Sequence, residues 1–597
     1  MRPFKRFIAV GIATIVLLVN LVGIFTFKQL YTPKLGSVLY EHLGTGETGE
    51  MDFPFGLEKK LDGIFLVQFT IDIPHTPIYP TVYRFMPDDC IKVIEVNGKV
   101  VPMPEREYCN HRGHNFHLGD AIETGLNTIT VTLHDHGGFA GFNASIAPND
   151  RGLLAMQILI ITLLCAYAAY LFFLFGIRKE AYFIIVSTFI FGLVLLVYSN
   201  NVAFIDRSND AGYHMEYIQY VVRNSAVPKA RDGFMFYQPP LYYFLVAGVI
   251  QFADIFGNGM QIALQDIKIL SWFLMVCSML IAGTVSLIVL PKKSEPIDHV
   301  FFVGIAGLTP AVAFMTSRIH NDVLVHVLTV VSFALLFAWW RKPNNTKWIL
   351  AFAIACLALL TKSNAFLLVG VLGICLFLRS GVPWSDKRRM LVIAGVLLVL
   401  LFGWYAYRRL IIEKEGVLVN NSGAIMKELT MPNTFSSLFT FNPTKVIQTT
   451  FNHPWEDRYR RKYYWEFLYK SAFVGEFSWR NELMPIAAQA EVMGFFIVFF
   501  TLGGIVLAVR TYKLNTFALP FAIILFTYIA GSVCLRITAP FVSAQDFRYI
   551  TPLILSVGYF SITFVQSLKK GQILARCCIG AFIISCASFV ISSAYWT

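Results

Sequence analysis

Residues 152–199 read GLLAMQILIITLLCAYAAYLFFLFG, then IRKE, then AYFIIVSTFIFGLVLLVYS. Two apolar runs of 25 and 19 residues flank a short charged turn. About 20 apolar residues suffice to cross a bilayer as a helix, because only a helix satisfies its own backbone in hydrocarbon. The stretch therefore reads as two membrane spans joined by a basic turn. The same pattern recurs along most of the 597 residues, which are 56% hydrophobic and only 14% charged. An average soluble chain carries about 25% charged residues. The composition excludes disorder, coiled coil, collagen and a purely soluble enzyme, and indicates a polytopic α-helical membrane protein.

The predicted spans are 7–27, 152–176, 181–199, 265–290, 300–317, 321–340, 348–361, 364–379, 390–411, 490–510, 515–535, 548–567 and 573–594. These thirteen alternate cleanly if basic loops face the cytoplasm. The segments MRPFKR (1–6), IRKE (177–180), PKKSEPID (291–298), RKPNNTK (341–347), SDKRR (385–389) and RTYK (510–513), with Lys569, Lys570 and Arg576, all fall on that side. Residues 1–27 are read as a retained anchor with a cytoplasmic N-terminus rather than a cleaved signal peptide, and the C-terminus falls outside. The apolar run 241–256 follows Pro239-Pro240 and breaks the alternation if it crosses, so it is expected to lie at or dip into the outer surface. The net charge of +12 is thereby largely a cytoplasmic-loop charge and gives no reason to expect nucleic acid. The compact basic loops lean towards a bacterial plasma (inner) membrane.

Residues 28–150 differ in kind: polar, rich in Gly, Pro, Asp and His, with period-two segments. GIFLVQFTIDI (63–73) and LNTITVTLHD (126–135) read as strands, and KVIEVNGKVV (92–101) as a hairpin around Asn97-Gly98, a pair suited to a type I′ turn. About 120 residues can hold their own core, so an inserted extracytoplasmic β-sandwich is expected. Its strand rhythm resembles the jelly-roll sugar-binding domains attached to glycoside hydrolases. Eight of the ten cysteines sit in or beside apolar runs, where a thiol packs as a small apolar group. Cys90 and Cys109 alone lie in clearly polar sequence, and suggest one disulfide in an oxidising compartment. His111, His114, His117, His134 and His136 are residue types that bind metal, at intervals that fit no standard motif.

Helix 151–176 then leads into a membrane core, 177–597, with two long outer loops at 200–264 and 412–489. In the first, Asp210 follows a span, His214 and Tyr217 stand four and seven residues on, and Gln238-Pro239-Pro240-Leu241 opens the aromatic surface helix. This order resembles the first outer loop of GT-C glycosyltransferases, which include the dolichyl-phosphate-mannose protein mannosyltransferases and the aminoarabinose transferases of lipid A. Further matches follow in order: SRIHNDVL (317–324) resembles the family's second outer loop with Asp322, LLTKSNAF (359–366) its Thr-Lys turn with Lys362, and AQDFRYITPLI (544–554) its late RY-x-x-P segment with Arg548. The resemblance covers roughly 180–570. It departs at Ala211, where relatives carry a second acidic residue, and at Gln238, often His or Lys.

The resemblance implies a sugar donor on a polyprenyl phosphate, an extracytoplasmic glycan, lipid or protein acceptor, and transfer with inversion. A carboxylate takes the acceptor hydroxyl proton as general base; Asp210 is the leading choice, Asp206 its rival, and Asp322 a second catalytic candidate. Cations stabilise the departing lipid phosphate, with Lys362 and Arg548 first and Arg318 behind them. His214 could join Asp210 or Asp322 on a divalent metal ion or touch the acceptor; the spacing is no zinc signature. Trp455, Tyr459, Tyr463 and Trp465 could form an acceptor loop, since aromatic faces with polar tips suit a sugar–lipid boundary. Plainer readings stand beside these. Asp210 and Asp322 serve as helix caps, Lys362 snorkels, Arg548 anchors at the interface, and the aromatics form an interfacial belt. Two other function classes fit the composition. A transporter or flippase of lipid-linked or small solutes is weakened by the lack of internal repeats. A non-catalytic glycan-binding scaffold is left open by Ala211.

Overall fold

The computed structural model describes the chain except residues 1–2, 52–54, 61, 76–77, 104–106, 110–112, 138, 178, 204–206, 209, 257–259, 417–428, 478, 512–516 and 596–597. Asp206 and His111 thus lie outside the described residues, as does Arg178 of the IRKE turn. Among those described, ten helices are long and apolar enough to cross a membrane, and the chain is a polytopic, mostly helical protein.

The chain divides into two compact units, residues 1–167 with 248–267, and residues 168–247 with 268–597. The first holds helix Pro3–Tyr31 and two antiparallel sheets. The strands are β1 (Lys34–His42), β2 (Glu47–Met51), β3 (Phe55–Lys60), β4 (Gly63–Ile73), β5 (Val82–Pro87), β6 (Cys90–Val96), β7 (Lys99–Val100), β8 (Tyr108–Cys109), β9 (His114–His117), β10 (Gly125–Asp135) and β11 (Phe139–Ile146). One sheet runs β2-β1-β4-β10-β6-β7, with β8 also on β6; the other runs β3-β11-β5-β9. Alternate residues of both, including Phe65, Val67, Phe69, Phe85, Val131 and Phe142, point into one shared core. Asn97 and Gly98 both take positive φ, 52° and 76°, as the two-residue turn between β6 and β7 requires. The sheets do not stand apart from the membrane helices as the 28–150 boundary implied. Lys28 pairs with Asp266, Gln29 donates to Asp266 at 2.8 Å, Tyr31 to Asp150 at 2.5 Å, and Gln265 to the Ile146 carbonyl at 3.1 Å. These buried polar links tie the first helix and residues 248–267 into the same unit.

The second unit is helical. Three of its departures from regular spans matter for the site. The run expected at 300–317 is a pair of helices, Pro296–Leu308 and Pro310–Ser317, bent by 60°. Pro310 forces the preceding residue out of the helical region, and Thr309 accordingly sits at φ −54°, ψ 123°. The run at 348–379 is two short helices, Asn345–Leu359 and Phe366–Leu378, of 15 and 13 residues. At about 1.5 Å per residue each reaches only about 20 Å, short of a hydrocarbon core of about 30 Å. The span ending at Ile412 contains two π-wound turns, Val399–Gly403 and Arg408–Ile412, around Trp404–Tyr407. The run at 241–256 forms helix Leu241–Asp254, 14 residues and too short to span.

Candidate functional site

Helix Ala211–Asn224 is amphipathic, burying His214, Tyr217, Ile218 and Val221. Asp210 stands at its N-terminus, half-buried, and its side chain makes no capping hydrogen bond. The cap reading of Asp210 therefore has no contact behind it. His214 Nδ1 lies 2.7 Å from the Tyr243 hydroxyl, while Nε2 has no partner among the described residues. Burial, aided by the neighbouring His320, holds His214 well below the usual imidazole range, so it is neutral at pH 7. Tyr217 stacks on Tyr243 at 3.7 Å and donates to the Gln238 carbonyl at 3.3 Å.

The Gln-Pro-Pro-Leu segment joins this helix to the Thr-Lys turn. Leu241 N–H donates to the Leu360 carbonyl at 2.8 Å. Gln238 Oε1 accepts from Asn321 Nδ2 at 3.3 Å, and the same amide donates to the Thr361 carbonyl at 3.1 Å. Tyr405, from between the π turns, donates to the Tyr237 carbonyl at 2.7 Å. Four segments far apart in sequence are thus stitched together by buried hydrogen bonds.

Asp322 and Lys362 meet where these segments converge. Lys362 Nζ donates to Asp322 Oδ1 at 2.5 Å and sits 5.0 Å from the Tyr549 ring centroid. Lys362 is buried and so does not snorkel to water, and Asp322, the first residue of its helix, gives Oδ1 to Lys362 and takes no backbone N–H of that helix on Oδ2. His320 Nδ1 is 3.0 Å from Asp322 Oδ2 and 3.1 Å from the Asp322 N–H. Burial pushes His320 down to about 4, so its ring is neutral at pH 7. Its Nδ1 then accepts from the backbone N–H and leaves Oδ2 without a donor.

Arg548 completes the cluster. It enters through Asp546, whose Oδ1 accepts the Arg548 N–H at 2.9 Å and starts the 3-10 turn Phe547–Leu553. The guanidinium reaches Glu476 Oε1 at 3.2 Å and the Tyr549 hydroxyl at 3.3 Å, with Asp546 Oδ2 3.8 Å from Nε. Glu476 also accepts from Ser543 at 2.9 Å. Burial pushes the Glu476 carboxyl up to about 7, against the pull of Arg548. Arg318 is buried, with its guanidinium 4.9 Å from the Phe477 ring centroid; its Nε has no hydrogen-bond partner and it makes no carboxylate ion pair among the described residues. The Asp210 charge acts on Lys362, Arg548, Glu476 and Tyr237, which places all five in one electrostatic neighbourhood.

The structure therefore brings Asp210, His214, Arg318, Asp322, Lys362 and Arg548 into one unit-two cluster. Among the described residues no contact joins the four loop aromatics to those six, although Gln545 beside Asp546 donates to the Arg461 carbonyl at 2.5 Å: Trp455 is exposed, Tyr459 stacks on His453 at 5.7 Å, Tyr463 carries Arg460 at 4.1 Å, and Trp465 packs on Tyr464 at 4.9 Å. No three metal-ligating atoms gather around His214, Asp210 and Asp322 among the described residues; the one such grouping is in the β-sheet region. Sequence reading missed His320, Glu476, Asp546 and Tyr549. Asp546 and Tyr549 flank Arg548, and Glu476 is the sole charge in SAFVGEFS (471–478), which was the available signal.

Comparison with known proteins finds no protein-family model that matches and no curated protein of similar sequence. Among solved structures, the single-particle cryo-EM structure of arabinosyltransferase EmbB from Mycobacterium smegmatis aligns with 94% of this chain and 53% of its own, at 11% identity and TM-score 0.32. The chain thus spans about half the length of that protein. At that identity and score the likeness assigns neither activity nor substrate.

Proposed function

We propose that the chain is an integral-membrane glycosyltransferase of GT-C type, which moves a sugar from a polyprenyl-phosphate donor to an extracytoplasmic acceptor with inversion. The observation that carries the reading is the meeting of a half-buried carboxylate, Asp210, which has no cap bond or ion pair among the described residues, with the buried cations Lys362, Arg548 and Arg318 in a single cluster. Inverting transfer needs this combination. A base must be free to accept the acceptor proton, and fixed positive charge must face the oxygen that leaves. Asp210 is the base, because Asp322 is already engaged by Lys362 at 2.5 Å. Asp322 is then a positioning residue that holds Lys362. The cations take the lipid phosphate, and no nucleotide is required.

The test is transfer by the full chain, purified in detergent, offered a panel of labelled polyprenyl-phosphate monosaccharides and an extracytoplasmic glycan or lipid acceptor. Incorporation without any ion gradient, lost at least a hundredfold in Asp210→Asn with unchanged thermal unfolding, is the expected outcome. Full activity in that variant removes Asp210 as base. Counterflow of the donor with no incorporation would make the chain a transporter instead.

A further inference from the structure

The β-sheet region carries a second cluster that the proposed transfer does not use. β6 and β8 pair with Cys90 directly opposite Cys109, and the two are joined by a disulfide. β10 lies on the other side of β6, with His134 opposite Cys90. Two residues on, His136 Nε2 stands 3.6 Å from Cys90 Sγ, its own backbone N–H held by Asp89 at 2.6 Å. Glu107, just before β8, places a carboxylate oxygen so that Cys90 Sγ, His136 and Glu107 all lie within 4.8 Å of one another. That carboxylate is itself oriented, by His134 at 3.1 Å and Lys92 at 3.3 Å.

We propose that Cys90, Cys109, His136 and Glu107 form a zinc site whenever the Cys90–Cys109 bridge is open. A sulfur in a disulfide is a poor ligand, so bridge and metal are alternatives. A phosphine supplies two electrons and leaves as its oxide, water supplies that oxygen and the two protons, the S–S bond breaks, and two thiols form. Zinc then displaces both thiol protons and binds two thiolates, the His136 imidazole and the Glu107 carboxylate, four ligands of the types it takes. Thiolates select zinc over hard cations such as magnesium and calcium. Zinc–sulfur bonds of about 2.3 Å at a tetrahedral angle put the sulfurs about 3.8 Å apart, a separation that small side-chain rotations on paired strands can reach. Three ligand charges against the dication leave one negative charge, which Lys92 balances. The hydrogen bond from His134 and the ion pair from Lys92 fix the carboxylate as outer-shell groups do in metal sites.

The full chain in detergent, reduced with a phosphine, loaded with zinc and desalted, is expected to retain one zinc per chain, and the oxidised chain none. Cobalt in place of zinc should give a thiolate-to-metal absorption band. Cys90→Ser should abolish retention. His136→Ala, which leaves the bridge intact, should weaken zinc at least tenfold in the reduced chain while its oxidised form unfolds at the parent temperature. A Cys577→Ser/Cys578→Ser variant should bind as the parent does. Failure of the reduced chain to hold zinc, retention by Cys90→Ser, or loss in the Cys577→Ser/Cys578→Ser variant would each overturn the proposal.

Discussion

Asp322→Asn isolates the ion pair at the centre of the cluster. The pair is buried, with its nitrogen and oxygen 2.5 Å apart. At an effective dielectric near 20 the attraction is about 7 kcal/mol, most of it offset by the cost of taking both charges from water. Removing one partner keeps that cost for the other charge, and a buried cation so stranded destabilises by about 3–5 kcal/mol. Lys362 would then retain only the Tyr549 ring at 5.0 Å and the more distant Asp210 charge. At 1.36 kcal/mol per tenfold, the smaller figure corresponds to a folded-to-unfolded ratio, at fixed temperature in detergent, about a hundredfold lower. The double variant Asp322→Asn/Lys362→Met removes both charges and should recover most of the loss. A single variant within twofold of the parent, or a double variant no better than the single, would refute the ion-pair account.

Glu476 should give the unfolding midpoint a pH dependence. Its carboxyl, pushed up to about 7 by burial from an ordinary 4.5, binds more protons folded than unfolded between those values. The stability it contributes is present at low pH and lost as pH rises through about 7. Glu476→Gln should flatten that slope, and an unchanged slope would remove Glu476 as its source. At Gly504 a Cβ would stand 2.2 Å from the Phe560 carbonyl oxygen, which puts the backbones of helices Met484–Arg510 and Ile554–Ser567 in direct contact. Gly504→Leu should therefore prevent accumulation of folded protein in membranes, whereas Gly11→Leu, with nothing near its Cβ, should accumulate normally; equal yields would contradict the close approach.

What the sequence made legible was whatever depends on local pattern. Period two placed β4 and β10, and Asn97-Gly98 placed the hairpin, because each follows from neighbours in the chain. Ten of the thirteen predicted spans were legible through length alone, while 300–317, 348–361 and 364–379 fold as a bent pair and two shorter helices. The 60° break before Pro310 was written in the proline, yet nothing local distinguishes a helix that bends from one that ends. The cluster was legible in part. Asp210, Lys362 and Arg548 stand out as charges at the ends of apolar runs. Glu476 did not, because its link to Arg548 spans 72 residues and exists only once residues 412–489 fold back. The unit boundary escaped for the same reason: Lys28 and Asp266 are a pair only in three dimensions.

Arg318 differs from the other two cations of the cluster in its partners. Lys362 is held by Asp322, and Arg548 by Glu476 and Asp546, whereas Arg318 is buried with an aromatic face as its neighbour, an Nε without a hydrogen-bond partner and no ion pair among the described residues. A buried charge that no carboxylate contacts directly costs several kcal/mol; a cation over an aromatic ring returns only about 2, and the Asp546 and Asp322 charges act on Arg318 only from beyond ion-pair distance. A group kept at that cost fits a stability–function compromise, and under the proposed function the anion that would face it is the donor's lipid phosphate. Arg318→Met keeps the length and apolar bulk of the side chain and removes the charge. The expected result is a chain that unfolds at a higher temperature than the parent but binds a polyprenyl phosphate at least tenfold more weakly, the two effects moving in opposite directions. A variant that loses stability would show that Arg318 is already satisfied within the protein; one that keeps its affinity would assign the phosphate to Lys362 and Arg548 alone.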